Sequence, residues 1–255
     1  MHYYQAKSFT PDQETILRST ANRSYYQENF LTQDEFDLCR RLVLAVNEWP
    51  EHGKTSKYWG FGLDNGVGPQ LLWLLKKVQA IVPHFDLDFF AIQEAIIPWK
   101  IHADIRWSQD YIPYKVVLLP MDVEPVTGPI EPDVWPKTAT ITFHQRNFLS
   151  VWNKSAADKI SKTGNTDQSD WPKPIDNVQF EGMETGYQID YSIWKEYLTH
   201  LPYDHLEGLV IDQINIWRPR SIMYWDNTAL HCADNFLSTH IKTKRSLMLF
   251  SKYQQ

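Results

Sequence analysis

The first third of the chain has two stretches with apolar residues at helical spacing. Thr32 and Glu35 have the spacing of a capping box, and apolar residues follow at three- or four-residue intervals until Pro50. A second stretch at about 69–82 begins with a proline in its first turn and repeats leucine and valine on one side. We therefore predict a helical support at about 30–85, made of two helices.

From residue 87 the pattern changes to short runs of β-branched and aromatic residues bounded by Pro, Gly and Asp, which predicts strands. The predicted strands cover about 87–97, 114–119, 137–144, 209–217, 221–225 and 244–253, and a short helix is predicted near 191–198. The polar segment at about 153–185 has little periodicity, and we predict a surface insertion that borders the substrate cleft.

Helices followed by at least six strands predict a mainly β fold with flanking helices, in which the helices pack on an antiparallel double sheet. A jelly roll at about 87–253 fits this order of elements best. No internal repeat and no linker divides the chain, so we predict a single domain over residues 1–255.

Charge and cysteine content narrow the class of protein. The 25 Lys and Arg against 31 Asp and Glu give a net charge of −6, without a basic block, so we expect no nucleic-acid partner. No apolar run reaches the roughly 18 residues that span a bilayer, and the first residues do not resemble a secretory signal. Cys39 and Cys232 are too few for a disulfide framework. We expect a cytoplasmic protein with a small-molecule partner; its oligomeric state is open.

The candidate chemistry lies in a His-x-Asp pair within the β-rich region. His102 and Asp104 are two residues apart, so in an extended segment both side chains project to the same side. His231 supplies a second imidazole at a predicted strand start. Two imidazoles and one carboxylate on one face of an octahedron leave three positions open, as non-haem iron(II) oxygenases require.

Two other histidine–carboxylate pairs have the same or similar spacing, but their positions favour an interpretation without a metal. His84 and Asp86 match His-x-Asp, and His205 and Glu207 match the looser His-x-Glu form. The first pair follows a proline at a helix end, and the second lies in a polar turn. We interpret both as polar pairs in loops or at strand edges.

Arg245 follows His231 by fourteen residues in a predicted strand. Arg245, Leu247 and Leu249 project to one side, which we expect to face the interior of a barrel. An arginine there requires an anionic partner, because an unpaired buried charge is costly, and its planar fork matches a carboxylate. The alternative is an outward-facing arginine on a solvated strand edge.

The order His-x-Asp, distal His, then Arg resembles the 2-oxoglutarate/Fe(II)-dependent dioxygenase superfamily. The segment 217–236, which contains "Trp-Asp" and "His-x-Ala" patterns, is most similar to bacterial and phage-borne members. The resemblance covers about 87–253 and implies a double-stranded β-helix (jelly-roll, cupin-like) core. It also implies that His102, Asp104 and His231 are ligands of Fe(II), that Arg245 binds the distal carboxylate of 2-oxoglutarate, and that O₂ is a co-substrate.

Three neighbouring residues carry weaker predictions. Tyr114 either donates its hydroxyl to a 2-oxoglutarate carboxylate or packs in the core. Arg106 either meets an anionic group of the substrate or pairs with a surface acid. Trp107 either lines the cleft or belongs to an aromatic core or rim.

The resemblance implies a hydroxylase that acts on an unactivated C–H bond, and the acidic single domain favours a small metabolite such as a free amino acid. A protein side chain is the alternative substrate. Two other functions stay open: a zinc or manganese jelly-roll hydrolase or isomerase that uses the same triad, and a non-catalytic ligand-binding module. O₂-dependent formation of succinate from 2-oxoglutarate separates an oxygenase from the hydrolase or isomerase, and a non-catalytic module with a structural triad should lose no metal to a chelator short of unfolding.

Overall fold

A computed structural model describes residues 9–53, 56–104, 111–126, 135, 137–147 and 180–254. Its strands are Tyr25–Gln27 (β1), Glu51–His52 (β2), Ser56–Phe61 (β3), Phe85–Ala95 (β4), Pro113–Pro125 (β5), Ala139–Arg146 (β6), Ile211–Ile216 (β7), Ile222–Asp226 (β8), Ala229–Ala233 (β9) and Ile241–Tyr253 (β10). The helices are Pro11–Ser19 (α1), Gln33–Leu44 (α2), Leu72–Gln79 (α3) and Tyr191–Ile193 (α4). Short 3₁₀ turns lie at Gly68–Leu71, Tyr203–Leu206 and Phe236–Thr239, and α4 continues as a π-type turn at Trp194–Leu198.

The two predicted N-terminal helices are present and begin as the sequence indicates. Thr32 caps α2 through a complete capping box with Glu35. The 3₁₀ turn at Gly68–Leu71 leads directly into α3, so the predicted proline lies in the first turn of the combined element. No helix in the described ranges has the length and apolar character needed to cross a membrane.

The strands form two sheets whose described pairs are antiparallel. The large sheet has the order β1-β8-β5-β10-β4-β3-β2, and the small sheet has the order β7-β6-β9. The backbone at His102 adds an antiparallel bridge to β9 at the edge of the small sheet.

From β4 onwards the chain passes back and forth between the sheets. β4 lies in the large sheet, the bridge at His102 in the small one, β5 in the large one, and β6 and β7 in the small one; β8, β9 and β10 then alternate. Two facing antiparallel sheets wound in this way form a double-stranded β-helix, or jelly roll. The predicted mainly β fold with flanking helices is confirmed.

Three apolar cores follow from this arrangement, because side chains alternate across each strand. The outer face of the large sheet packs against α2 and α3, and Leu247 and Leu249 of β10 lie there. The space between the sheets is filled from β5, β8 and β10, and Met248 and Phe250 lie there. The outer face of the small sheet packs against the helical turns around Leu198.

Several boundaries differ from the sequence prediction. The prediction for β5 stopped before Pro120, because proline lacks the N–H that a ladder requires. The strand continues to Pro125, since the register with β10 shifts between Arg245 and Ser246, and Ser246 lies opposite Pro120. β3 at Ser56–Phe61 lies outside the predicted strands, all of which begin at or after residue 87. Most of the predicted insertion, residues 153–179, lies outside the described residues, and the single-domain organisation stays a prediction.

Candidate metal centre

The backbone pairs two of the predicted ligands directly. His102 N–H donates to His231 O at 2.9 Å, and His231 N–H donates to His102 O at 2.9 Å. Residues that face each other in an antiparallel pair project to the same side, so both imidazoles project together. Their ring centroids lie 4.3 Å apart.

Asp104 completes the cluster, two residues beyond His102. His231 Nε2 lies 3.2 Å from Asp104 Oδ2, and His102 Nε2 lies 3.7 Å from Asp104 Oδ1. One ligand atom from each of the three residues lies within 4.8 Å of the other two. The three side chains that the sequence predicts as ligands are therefore brought together, and the described parts of the chain contain no other such His/Cys/Asp/Glu cluster.

Backbone carbonyls orient both imidazoles. His102 Nδ1 lies 2.7 Å from Lys100 O, and His231 Nδ1 lies 3.1 Å from Ala229 O. A carbonyl only accepts hydrogen bonds, so each Nδ1 carries the proton and the lone pair of each Nε2 is available to a metal. This tautomer is the one in which a histidine binds a metal through Nε2.

The carboxylate fits a cation better than it fits its protein neighbours. Asp104 Oδ2 is buried, and no described residue offers it a hydrogen bond of normal geometry. Burial acts to raise the pKa of Asp104, but the charges of His231 and His102 outweigh it and lower the pKa to about 2. Burial, followed by repulsion from His231, lowers the pKa of His102 to about 4. Near neutral pH the cluster thus contains a carboxylate and a neutral His102, and a divalent cation would satisfy both.

Two tryptophans pack against the imidazoles. The Trp99 ring lies 5.0 Å from that of His102, and the Trp225 ring lies 4.7 Å from that of His231. Trp225 is 1% exposed, whereas the Asp104 side chain is 15% exposed. The cluster is accordingly held by apolar walls but remains accessible on one side.

Lys244 and Arg245 are adjacent on β10, and the structure places their side chains on opposite faces of the strand. Arg245 lies on the same side as Leu247 and Leu249, as predicted, but that side packs against the helices and not inside the barrel. Its Nε donates to Glu94, a residue of β4 on the same outer face. The predicted inward orientation of Arg245 is wrong, because the side of β10 that carries the two leucines is the outer one. Its role as a 2-oxoglutarate ligand stays a prediction.

Lys244 occupies the inner face instead. Its ammonium lies 3.1 Å from Asp234 Oδ1, donates to Ala139 O at 2.9 Å, and lies 4.1 Å from the centroid of the Trp217 ring. The Lys244 side chain is 2% exposed. Sequence reasoning missed this residue because the face of a strand cannot be read from alternation when both faces are buried.

The barrel interior also contains an amide that the sequence does not single out. Asn215 on β7 lies opposite Thr140 on β6, and it is 0% exposed. Both its Oδ1 and its Nδ2 are buried without a hydrogen-bond partner among the described residues. A buried amide in this state is a ready site for a polar ligand or water.

The remaining predicted residues lie elsewhere. Tyr114 is 5% exposed in the helix-facing core, edge-on to Tyr253, so packing is what the structure shows for it. Arg106 and Trp107 lie outside the described residues. His84 stacks on Tyr253 and bonds to the C-terminal backbone, and His205 lies in a 3₁₀ turn, consistent with their interpretation as loop residues.

No protein-family model and no curated protein matches this chain. Its structure is similar to that of SnoN, a non-haem α-ketoglutarate-dependent epimerase from nogalamycin biosynthesis, with 12% identity and a TM-score of 0.48 over 93% of this chain and 82% of that one. HygX from Streptomyces hygroscopicus, solved with nickel and 2-oxoglutarate, has 10% identity and a TM-score of 0.48 over 97% of this chain and 88% of its own. A Pseudomonas putida prolyl-4-hydroxylase has 12% identity and a TM-score of 0.41, covering 95% and 99%. At such identities and TM-scores, what these proteins bind does not carry over to this chain.

Proposed function

We propose that this protein is a 2-oxoglutarate- and O₂-dependent Fe(II) oxygenase whose metal is held by His102, Asp104 and His231. The observation that supports it is the convergence of two Nε2 atoms and one carboxylate within 4.8 Å inside a double-stranded β-helix. Three ligands on one side of an ion leave three positions open, enough for a bidentate 2-oxo acid and O₂. A structural zinc site would use four protein ligands.

When bound, Fe(II) supplies the oxidation: 2-oxoglutarate and O₂ become succinate and CO₂, and the second oxygen atom converts a substrate C–H bond to C–OH. The chain's own residues hold and shield this centre. Lys100 O and Ala229 O keep the two imidazoles in the metal-binding tautomer. Trp99 and Trp225 exclude water from the imidazole faces.

2-Oxoglutarate requires a positive counter-charge in the barrel interior. The carboxylate of 2-oxoglutarate that is remote from the metal would lie between the sheets, where an uncompensated charge is costly. Lys244 has its ammonium there and Arg245 does not. We therefore assign the counter-charge to Lys244, with the unpartnered amide of Asn215 as a further hydrogen-bond donor. Arg245 is the alternative that the sequence resemblance favours.

The substrate is proposed as a small metabolite such as a free amino acid, hydroxylated at an unactivated C–H bond. A protein side chain is the alternative. The support is compositional: the sequence is acidic, with a net charge of −6, and contains no basic block of the kind that binds nucleic acid. The zinc or manganese hydrolase alternative uses the same three ligands and differs in having no use for 2-oxoglutarate.

The test is O₂-dependent succinate formation by Fe(II)-loaded protein supplied with 2-oxoglutarate and metabolite pools. Asp104→Ala should abolish it, because the only anionic ligand is lost, while thermal unfolding stays cooperative. Asp86→Ala is the matched control: Asp86 belongs to the other His-x-Asp pair and is half exposed beside Lys252. Succinate formation that survives Asp104→Ala, or that is equally lost in Asp86→Ala, contradicts the assignment.

A further inference from the structure

Trp225 places a hydrogen-bond donor beside the metal centre that no protein acceptor uses. The residue lies on β8, opposite Val116 of β5, and its side chain belongs to the core between the sheets. Its ring is tilted by 43° against the ring of His231 at 4.7 Å. Its Nε1 is buried and has no hydrogen-bond partner of normal geometry among the described residues.

Asp104 contributes the complementary group, a buried acceptor without a hydrogen-bond partner among the described residues. Its Oδ2 is buried and equally without a partner of normal geometry, although it lies 3.2 Å from His231 Nε2. His231 cannot serve that oxygen when a metal is bound, because its Nδ1 proton goes to Ala229 O and its Nε2 faces the metal. One buried donor and one buried acceptor thus lie beside the same imidazole, and neither has a partner among the residues that the structure describes.

His231 contacts both groups. The Trp225 ring lies 4.7 Å from its ring, and Asp104 Oδ2 lies 3.2 Å from its Nε2. The donor and the acceptor that lack partners are therefore neighbours of one imidazole. Trp217, another buried indole, differs because its Nε1 donates to Thr140 Oγ1 at 2.9 Å and therefore has a partner.

We propose that Trp225 is a positioning residue whose indole N–H holds one oxygen of Asp104, so that this carboxylate binds the metal through the other oxygen alone. The proposal rests on the metal centre of the proposed function. A carboxylate that used both oxygens would occupy an additional coordination position. With two imidazoles and a single carboxylate oxygen, three positions remain for a bidentate 2-oxo acid and O₂. Trp225 thereby keeps the centre open for its third external ligand.

The test is Co(II) binding to the full-length protein, followed through the visible d–d absorption of the bound ion. Trp225→Phe keeps a ring against His231 and removes only the indole N–H. We expect its affinity for Co(II) to fall by about 10–100-fold, the usual cost of losing a group that orients a ligand. We also expect the absorption of the Co(II) and 2-oxoglutarate complex to change, since the carboxylate changes its mode of binding.

Another tryptophan provides the matched control. Trp73 on α3 also has a buried Nε1 without a hydrogen-bond partner among the described residues, but it packs in the helix-facing core. Trp73→Phe should leave the Co(II) affinity and spectrum as in wild type. Equal changes in Trp73→Phe and Trp225→Phe would mean that replacing any buried indole disturbs the metal, and would overturn the proposal.

The remaining outcomes are distinguishable. If the wild-type protein binds no Co(II), or if its Co(II) binding survives Asp104→Ala, the proposed function fails. If it does bind, and Trp225→Phe has wild-type affinity and spectrum, only the role of Trp225 fails. Should Trp225→Phe not fold, indole ¹⁵N NMR of the metal-free protein decides: Asp104→Ala should displace one indole signal and accelerate its hydrogen exchange, and unchanged indole signals overturn the proposal.

Discussion

Lys244 and Arg245 are neighbours on β10, yet they lie on opposite faces of the large sheet. Each cation has an acidic partner whose side chain is almost fully buried, Asp234 at 4% exposure inside and Glu94 at 3% outside. The cations themselves differ, since Lys244 is 2% exposed and Arg245 is 22% exposed. Both strand faces therefore contain an ion pair, but only the inner one is sealed from water.

The acidic residues of the two ion pairs depend on their cations to different degrees, because only one of them has a second cation nearby among the described residues. Glu94 has a second partner, Lys57 Nζ at 2.6 Å, so it keeps a counter-charge when Arg245 is removed. Asp234 accepts from Thr138 Oγ1 at 2.7 Å but has no second cation among the described residues. Burial lowers the pKa of Lys244 despite Asp234, which marks the energetic cost of placing this charge between the sheets. A cation kept at such a cost is a better candidate for ligand binding than one at a half-open surface.

Lys244→Met should have the largest effect on 2-oxoglutarate. It removes the counter-charge and leaves Asp234 facing a dianion. Breaking a buried charged pair costs on the order of 3–5 kcal/mol. We therefore expect the Kd for 2-oxoglutarate, measured by calorimetry on the Zn(II)-loaded protein, to rise at least about a hundredfold. Co(II) affinity without 2-oxoglutarate should hardly change, because Lys244 does not belong to the triad. A near-normal Kd would remove Lys244 from the co-substrate site.

Arg245→Met is the matched change on the outer face and should act mainly on stability. Glu94 keeps Lys57, so we expect a loss in unfolding free energy of about 1–2 kcal/mol, measured by urea denaturation. The Kd for 2-oxoglutarate should be little changed. A large loss of 2-oxoglutarate binding here, with normal binding in Lys244→Met, would restore the assignment that the sequence resemblance favours.

His200 offers the smallest and most local comparison of the two faces. Burial, and then the charges of Lys100 and Lys244, lower its pKa to about 4. Removing the inner cation should raise this pKa, whereas Arg245→Met should not move it. An NMR titration of the imidazole in both variants measures the difference. Identical titration curves would mean that the Lys244 ammonium does not reach His200.

The lowered pKa of His200 predicts a pH dependence of the stability of the fold. The folded pKa of His200, about 4, lies below the unfolded value of 6.5, so the unfolded chain binds more protons between these values. Its contribution to stability is complete above pH 6.5 and decreases as the pH falls towards 4. Replacing His200 with Phe should flatten this part of the stability curve, measured on the metal-free protein.

The sequence by itself determined the principal elements and the three residues of the candidate metal site. The capping box at Thr32, the period-2 runs and the His-x-Asp pair each depend on neighbours within a few residues. Local spacing therefore predicted α2, the principal strands, and the projection of His102 and Asp104 to one side. The pairing with His231 required a resemblance as well, because His231 lies 127 positions beyond Asp104 in the chain.

Only the tertiary structure decided which face of β10 is inside. A shift of one residue in a strand exchanges its two faces, and in β10 both faces are apolar and buried, so alternation contains no signal. Because Lys244 and Arg245 are adjacent and both are cations, their charge did not identify the inner face of β10 either. Packing of α2 and α3 against Leu247 and Leu249 turned Arg245 outward and Lys244 inward. Trp225 and Asn215 became candidates for the same reason, since an unpartnered polar atom exists only once a chain has folded around it.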